Sequence, residues 1–405
     1  MTTTDALLAR TLREEAGPLV ARLARRFRDF DLAEEAVQGA VVEALTSWRR
    51  TGPPQRAGAW LQVAATRNAL DAMRLRDRQR ALAARADPLA DHGPGEDTDD
   101  RLALLFACCH PALAPEARLA LTLRAVVGLT TPQIARAFLV NEATLAQRVV
   151  RAKRKVVSAG IALTVPPESQ RAERLGDVLA VVYVMFNEGF VSSTGPTQDR
   201  DLAADAVWLA GVVATSLPDQ AEAWGLAALL TIQHARSRSR FAAGELVLLR
   251  DQDRSLWDHD AISEGERMIE RAASLRRPGA YQLQAAIAAV HATGASWAET
   301  DWLQISLLYD ELARYDASPV VRLNQLVAHA QVAGPQDALR RLESLSAPLA
   351  GYHLFHATRA QLLTAVGRDD EAEAANRRAL ELTANDAERR LLTTRLHRRP
   401  LDDGS

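Results

Sequence analysis

Apolar side chains recur along this chain at the 3.6-residue interval of a helix and only rarely alternate as strands do. From Leu32, the positions Val37, Val41, Ala44 and Trp48 keep helical spacing, and Thr51-Gly52-Pro53-Pro54 ends the run. A second helix is expected from about Ala59, in WLQVAATRNALDAMRLRDRQR. There Arg67, Asp71, Arg74 and Arg78 share one face, while Ala65, Ala69, Ala72, Leu70 and Met73 lie on the other side. Such a helix packs on one side and offers a polar, cationic stripe on the other. The stretch DPLADHGPGEDTDD, from Asp87 to Asp100, is rich in acids, Pro and Gly and has no periodicity, so a flexible linker is expected.

After the linker, GLTTPQIARAFLVNEATLAQRVVRAKRKV predicts two helices about a tight turn. Thr131 is the expected cap of the first, with Pro132 at its first position, and Asn141 the expected cap of the second. In the second helix Leu145, Val149, Ala152 and Val156 form the expected buried seam; Ala143, Gln147, Val150 and Arg154 point the other way, flanked by Ala146 and Arg151. From about Pro166 the chain is a succession of Ala/Leu-rich helices. They are broken at Thr194-Gly195-Pro196, Leu217-Pro218-Asp219, Arg277-Pro278-Gly279, Gly334-Pro335 and Gly367. Gly334 and Gly367 are 33 apart and Ala338 and Ala372 are 34 apart, the interval of tetratricopeptide helix pairs; Gly294 to Gly334 is 40, so the repeat is degenerate.

Composition narrows the class. At 405 residues several domains are expected, and 48% hydrophobic with 25% charged side chains describes a globular chain. With aromatics at 5% and Ala, Leu and Arg abundant, the expected fold is all-α. No stretch approaches the roughly 18 uncharged apolar residues of a membrane span, and MTTTDALLARTLREE lacks a basic flank and apolar core, so a cytoplasmic protein with no membrane partner is expected. The two cysteines, Cys108 and Cys109, are adjacent and suggest a reducing compartment. Charge is unevenly placed: residues 1–86 carry 15 basic and 10 acidic side chains, 87–114 one and 6, 115–165 8 and 2, and the remainder 25 and 33. A polyanion is attracted to the first 165 residues, apart from the linker, and repelled by the rest.

Catalytic chemistry finds little purchase. No P-loop, GxGxxG, GxSxG or Cys–His nucleophile pattern stands out, so no enzyme activity and no cofactor are expected. Cys108-Cys109-His110 cannot all turn toward one tetrahedral ion and lack a distant Cys pair; core packing is the better reading. His353 and His356 stand at i and i+3 without a neighbouring acid, and ordinary packing is again expected; no metal site is assigned.

The segments LAEEAVQGAVVEALTSW (Leu32–Trp48), AWLQVAATRNALDAMRLR (Ala59–Arg76) and Gly128–Val156, in this order and about an acidic tether, resemble the two DNA-reading domains of an extracytoplasmic-function RNA polymerase sigma factor. ACCHPALAPEARLALTLR (Ala107–Arg124), YVMFNEGFVSS (Tyr183–Ser193), GELVLLRDQDRSLWD (Gly244–Asp258) and YQLQAAIAAVHA (Tyr281–Ala292) resemble the subgroup with a C-terminal tetratricopeptide-like extension. The resemblance implies region 2 over 1–86, a flexible acidic linker over 87–105, a region 4 helix-turn-helix over 106–165 and a helical-repeat domain over 166–405. It implies that Glu34, Glu35 and Gln38 dock, on an exposed face, onto the beta-prime clamp of the polymerase core; Gly39 departs from the pattern, which usually has an acid there.

For the minus-ten element the resemblance implies Arg67, Arg74, Arg76 and Arg78 as phosphate contacts and Asn68 or Asp71 at a flipped base, with an Asp71–Arg74 helix pair as an equal alternative for Asp71. For the minus-thirty-five element it implies Glu142, Ala143, Ala146, Gln147, Arg148 and Arg151. Gln147 suits an adenine edge and Glu142 a cytosine amino group, while Arg148, Arg151, Lys153, Arg154 and Lys155 suit phosphates. The expected partners are therefore polymerase core and promoter DNA, with the C-terminal domain regulating or scaffolding the activity in place of a separate anti-sigma protein. The competing reading is a helix-turn-helix regulator that senses a ligand through a helical-repeat domain.

Overall fold

The computed structural model describes residues 3–27, 29–81, 100–137, 140–191, 202–383 and 385–397. The chain divides into two compact units, Met1–Gly189 and Phe190–Ser405. The first is built from α1 (Thr3–Phe27), α2 (Phe30–Thr51), α3 (Ala57–Ala81), α4 (Asp100–Cys108), α5 (Pro115–Ala125), α6 (Thr131–Ala137), α7 (Glu142–Ser158) and most of α8 (Glu168–Val191). The second holds α9 (Leu202–Ser216), α10 (Ala221–His234), α11 (His259–Ser274), α12 (Ala280–Thr293), α13 (Trp302–Leu312), α14 (Pro319–Ala333), α15 (Pro335–Leu342), α16 (His353–Ala365), α17 (Asp369–Leu382) and α18 (Asp386–His397). The expected all-α class is what the described residues adopt. One small departure is a ribbon of β1 (Phe241–Ala242) and β2 (Glu245–Leu246), whose two central residues, Ala243 and Gly244, both have positive φ, as a two-residue hairpin turn requires. No described helix is long and apolar enough to cross a membrane.

In the first unit, α2 starts where the Asp29 carboxylate accepts the Leu32 amide at 2.9 Å and stops at Gly52, whose φ of 81° closes the last turn through Trp48 O. Its buried stripe, Leu32, Ala33, Ala36, Val37, Ala40, Ala44 and Trp48, meets Leu61, Ala64, Ala65 and Ala69 of α3. Trp60 packs edge-on against Trp48 with ring centroids 5.5 Å apart. The helix α1 has no counterpart in the sequence reading. Gly17-Pro18 looks like a breaker, yet Pro18 sits within α1, and Leu19, Val20, Leu23 and Ala24 are buried where α1 packs on α2, α3 and α4.

The linker expected over 87–105 is helical from Asp100, because Leu102, Leu104, Leu105 and Phe106 give α4 an apolar stripe that is buried; residues 87–99 lie outside the described residues. α8 is tied to α4 and α5 through polar contacts: Arg118 pairs with Asp177, and Arg174 donates to Phe106 O at 2.7 Å. In the second unit Gly334, φ 88°, ends α14 and opens α15. The spaced pair Ala338 and Ala372 is buried, each in a core beneath consecutive helices.

Candidate nucleic-acid and polymerase interface

The helix α7 is amphipathic in the way its spacing predicts. Leu145, Val149, Ala152 and Val156 are buried, and the Asn141 side chain caps the helix by accepting the Ala143 amide at 2.8 Å. Glu142, Ala143, Ala146, Gln147, Arg151, Arg154 and Lys155 are exposed, and Arg148 is half-buried. Seven of the nine residues expected to face the minus-thirty-five element thus lie open to solvent on one helix, small side chains first and cations after. The cap of α6 differs by one residue from expectation. Thr130, not Thr131, closes the helix: its amide donates to Gln133 Oε1 at 2.8 Å, and its hydroxyl accepts the Gln133 amide at 3.4 Å. This reciprocal box outcompetes Thr131 because Gln133 stands three residues after Thr130.

Lys153 and Glu34 depart from their expected exposure. Lys153 bonds Glu34 and, at 2.9 Å, Asp31, and it lies over the Phe30 ring at 5.4 Å. Glu34 also pairs with Arg124, and the Gln38 amide, taken with its oxygen toward Arg124, accepts from that guanidinium at 3.2 Å. The side chains of Glu34, Lys153 and Arg124 are only 8%, 11% and 16% exposed, so this is a nearly dry cluster joining α2 to α5 and α7. Burial pulls the Lys153 ammonium down, but the charge and hydrogen bond of Glu34, with Asp31 behind them, carry it above its ordinary range.

The signal for this cluster was present in the helix periods. Lys153 stands four residues after Val149 and three before Val156, at the margin of the buried seam; Glu34 stands seven before Val41, on the extension of the α2 stripe. Arg124 and Asp31 had no signal of their own. Glu35 and Gln38, the other two expected docking residues, are exposed.

On α3, Arg67 reaches back to Glu43, and Arg74 pairs with Asp71 at 3.2 Å, the alternative held open for Asp71. Both pairs are largely exposed, so each contributes at most about 1 kcal/mol and yields readily to a phosphate. Asn68 is half-buried and donates to Ala36 O on α2 at 3.4 Å. A Cβ at Gly39 would stand 2.9 Å from Asn68 Nδ2, so the acid expected there would push the Asn68 amide from its contact with Ala36 O. Arg76 and Arg78 fall within α3, but their side chains lie outside the described residues.

The remaining candidates are packed. Cys108 and Cys109 are buried; burial raises both thiols, Cys109 to about 12, and Cys109 Sγ lies 3.5 Å from Thr122 Oγ1. Against the expectation of no neighbouring acid, His353 lies 2.9 Å from a Glu388 carboxylate oxygen that the chain brings in from α18, while His356 contacts Ala350 O at 2.9 Å. Among the described residues no group of three or more His, Cys, Asp or Glu side chains is arranged to hold a metal.

Residues 12–80 match the family model described as sigma-70 region 2, and residues 103–156 match that of sigma-70 region 4. Residues 174–273 match a family of unknown function. An uncharacterized protein of Rhizobium meliloti is 45% identical over 378 residues, covering 90% of this chain and 89% of that protein. No solved structure matches.

Proposed function

Because the chain belongs to the sigma-70 family of RNA polymerase sigma factors, we propose that it is an extracytoplasmic-function-type member working in the cytoplasm. It is not an enzyme; it binds polymerase core and promoter DNA and directs initiation while the polymerase transfers nucleotides. In this reading Glu34, Glu35 and Gln38 on α2 dock the beta-prime clamp, and charge-assisted contacts to clamp cations hold it there. On α3, Arg67, Arg74, Arg76 and Arg78 hold phosphates of the opened minus-ten strand, with Asn68 or Asp71 beside an unstacked base. On α7, Gln147 and Glu142 read bases, Ala143 and Ala146 allow close approach, and Arg148, Arg151, Lys153, Arg154 and Lys155 anchor the backbone. The residues from 166 onward, most of α8 within the first compact unit and the later helices in the second, supply a tetratricopeptide-like extension that regulates or scaffolds the first two domains, so that no separate anti-sigma protein is required.

The observation that carries this reading is the exposed small-then-cationic face of α7 over a buried aliphatic seam. The ion pairs of Glu34 and Lys153 add a conformational requirement: each occupies the other in the free chain, so both assigned contacts need α2 and α7 to part. Reconstitution of the full chain with core polymerase on a promoter library, read as run-off transcripts, tests the reading. Co-elution with core and transcripts sharing paired upstream elements support it; a chain that neither co-elutes nor directs transcripts overturns it. The same assay on a chain lacking residues 166–405 tests the C-terminal role, which unchanged transcription removes.

A further inference from the structure

Three stretches that DNA reading leaves without a task meet in the second unit: Phe190 from Tyr183–Ser193, Arg254 and Trp257 from Gly244–Asp258, and His291 from Tyr281–Ala292. Trp257 is buried, and its indole N–H donates to Ser239 Oγ at 2.8 Å. Two guanidiniums lie against its ring, Arg254 at 4.7 Å and Arg236 at 5.9 Å, while Arg240 stacks on Phe190 at 3.5 Å. His291 packs against Trp302 and Trp297, with ring centroids 5.2 and 6.3 Å away. Arg254 donates through Nη1 to the carbonyls of His291 and Gly294, closing the end of α12.

Among the described residues this cluster has positive charge without a paired counterion. Among the described residues no carboxylate pairs with Arg236, Arg240 or Arg254; Glu299 acts on Arg254 only through space. The Nε of Arg236, Nη2 of Arg254 and Nδ1 of His291 are buried and without a hydrogen-bond partner. Burial, then repulsion from Arg240 and Arg254, lowers Arg236 to about 10, and burial lowers Arg240 to about 10. Buried cations are ordinarily paired, and buried donors ordinarily bonded. Beside Arg254 a cavity of about 450 Å³ is lined also by Ser255, His259, Ser263, Glu266 and Thr293. That volume falls in the range of small-molecule sites, about 300–1,000 Å³.

We infer that this cavity binds a small molecule carrying a phosphate or carboxylate group, drawn by the uncompensated charge of Arg254 in its wall and hydrogen-bonded by the Ser263 hydroxyl, since the Ser255 and Thr293 hydroxyls already donate to Asp253 and to the Ala289 carbonyl. The charge of Arg236, in the same cluster, adds to the attraction. Glu266 narrows the class: it repels a bare polyanion and accepts from a hydroxyl or amino group on the same ligand. The inference is independent of the DNA-facing assignments, since every residue it uses lies in the second unit.

The test is thermal unfolding of the full chain with inorganic phosphate or acetate titrated against chloride at constant ionic strength. A saturable rise in Tm of about 2–4 °C in one of the two anions is expected for the wild-type chain. Arg236→Met, which removes an uncompensated cation, is expected to start higher in chloride and to show a smaller rise. Absence of a rise in both anions, or an equal rise in Arg236→Met, overturns the inference. Should that variant fail to fold, Ser263→Tyr fills the cavity without touching the guanidiniums. With it, loss of the phosphorus NMR line broadening that wild-type chain imposes on phosphate supports the site, and retained broadening overturns it.

Discussion

Replacing Glu34 by Gln leaves Arg124 and Lys153 facing each other across a neutral amide, in a cluster where all three side chains are less than one-fifth exposed. Breaking a buried ion pair by removing one partner costs about 3–5 kcal/mol, because the orphaned charge stays desolvated. Lys153→Met costs less, since Glu34 keeps Arg124 and the lost Asp31 contact is mostly in water, Asp31 being 63% exposed. Glu35→Gln, on the exposed side of the same turn, changes stability by no more than about 0.5 kcal/mol. The expected order of destabilisation is therefore Glu34→Gln, Lys153→Met, Glu35→Gln. Urea unfolding of the full chain gives the three midpoints, and the Glu34–Lys153 double-mutant cycle gives the coupling. Because Lys153 is raised, its contribution is complete below the ordinary lysine range and is lost as pH rises through the raised value. Added salt leaves a buried coupling nearly unchanged. A Glu34→Gln cost below about 1 kcal/mol, or a coupling that vanishes in moderate salt, refutes the picture of a dry cluster joining α2 to α7.

Other outcomes follow from particular residues. Gln147→Ala should relax base preference at one position of the minus-thirty-five element, whereas Arg154→Ala should weaken binding on all sequences and lower the salt slope by about one; binding isotherms on a promoter panel at several salt concentrations separate them. Gly39→Ala should gain less than the roughly 1 kcal/mol of helix propensity, or lose stability outright, because its Cβ meets Asn68; in an Asn68→Ala background the full gain should appear in urea melts. His291 is lowered to about 4, by burial first and then by Arg236 and Arg254. The unfolded chain therefore binds the extra proton from about pH 6.5 downward while the folded one does not. The second unit should lose up to about 3 kcal/mol between pH 6.5 and 4, and His291→Gln should flatten that slope in pH-dependent melts.

Much of this protein is local and therefore legible along the chain. The α2 stripe ending at Gly52, the Asn141 cap and the Leu145–Val156 seam each depend on residues within a few positions of one another, where helical period and capping chemistry decide the outcome. The exposed polar face of α7 follows from the same period. The small slips are Thr130 for Thr131 as cap, where Gln133 pairs with the earlier threonine, and α4 beginning at Asp100 inside the expected linker, where the buried stripe of Leu102, Leu104, Leu105 and Phe106 makes the segment a helix.

What only the tertiary structure decided lies in pairings between distant residues. Glu34 and Lys153 are 119 positions apart; helical period places each beside a buried stripe, but nothing local tells that one is the other's partner. Likewise, Arg236, Arg254 and His291 each look like ordinary surface residues of separate helical segments, and only the fold brings their unpaired nitrogens together beside one cavity. The physical reason is common to both: a charge's partner is set by Coulombic distance and desolvation in three dimensions, whereas the helix that carries it is set by its immediate neighbours.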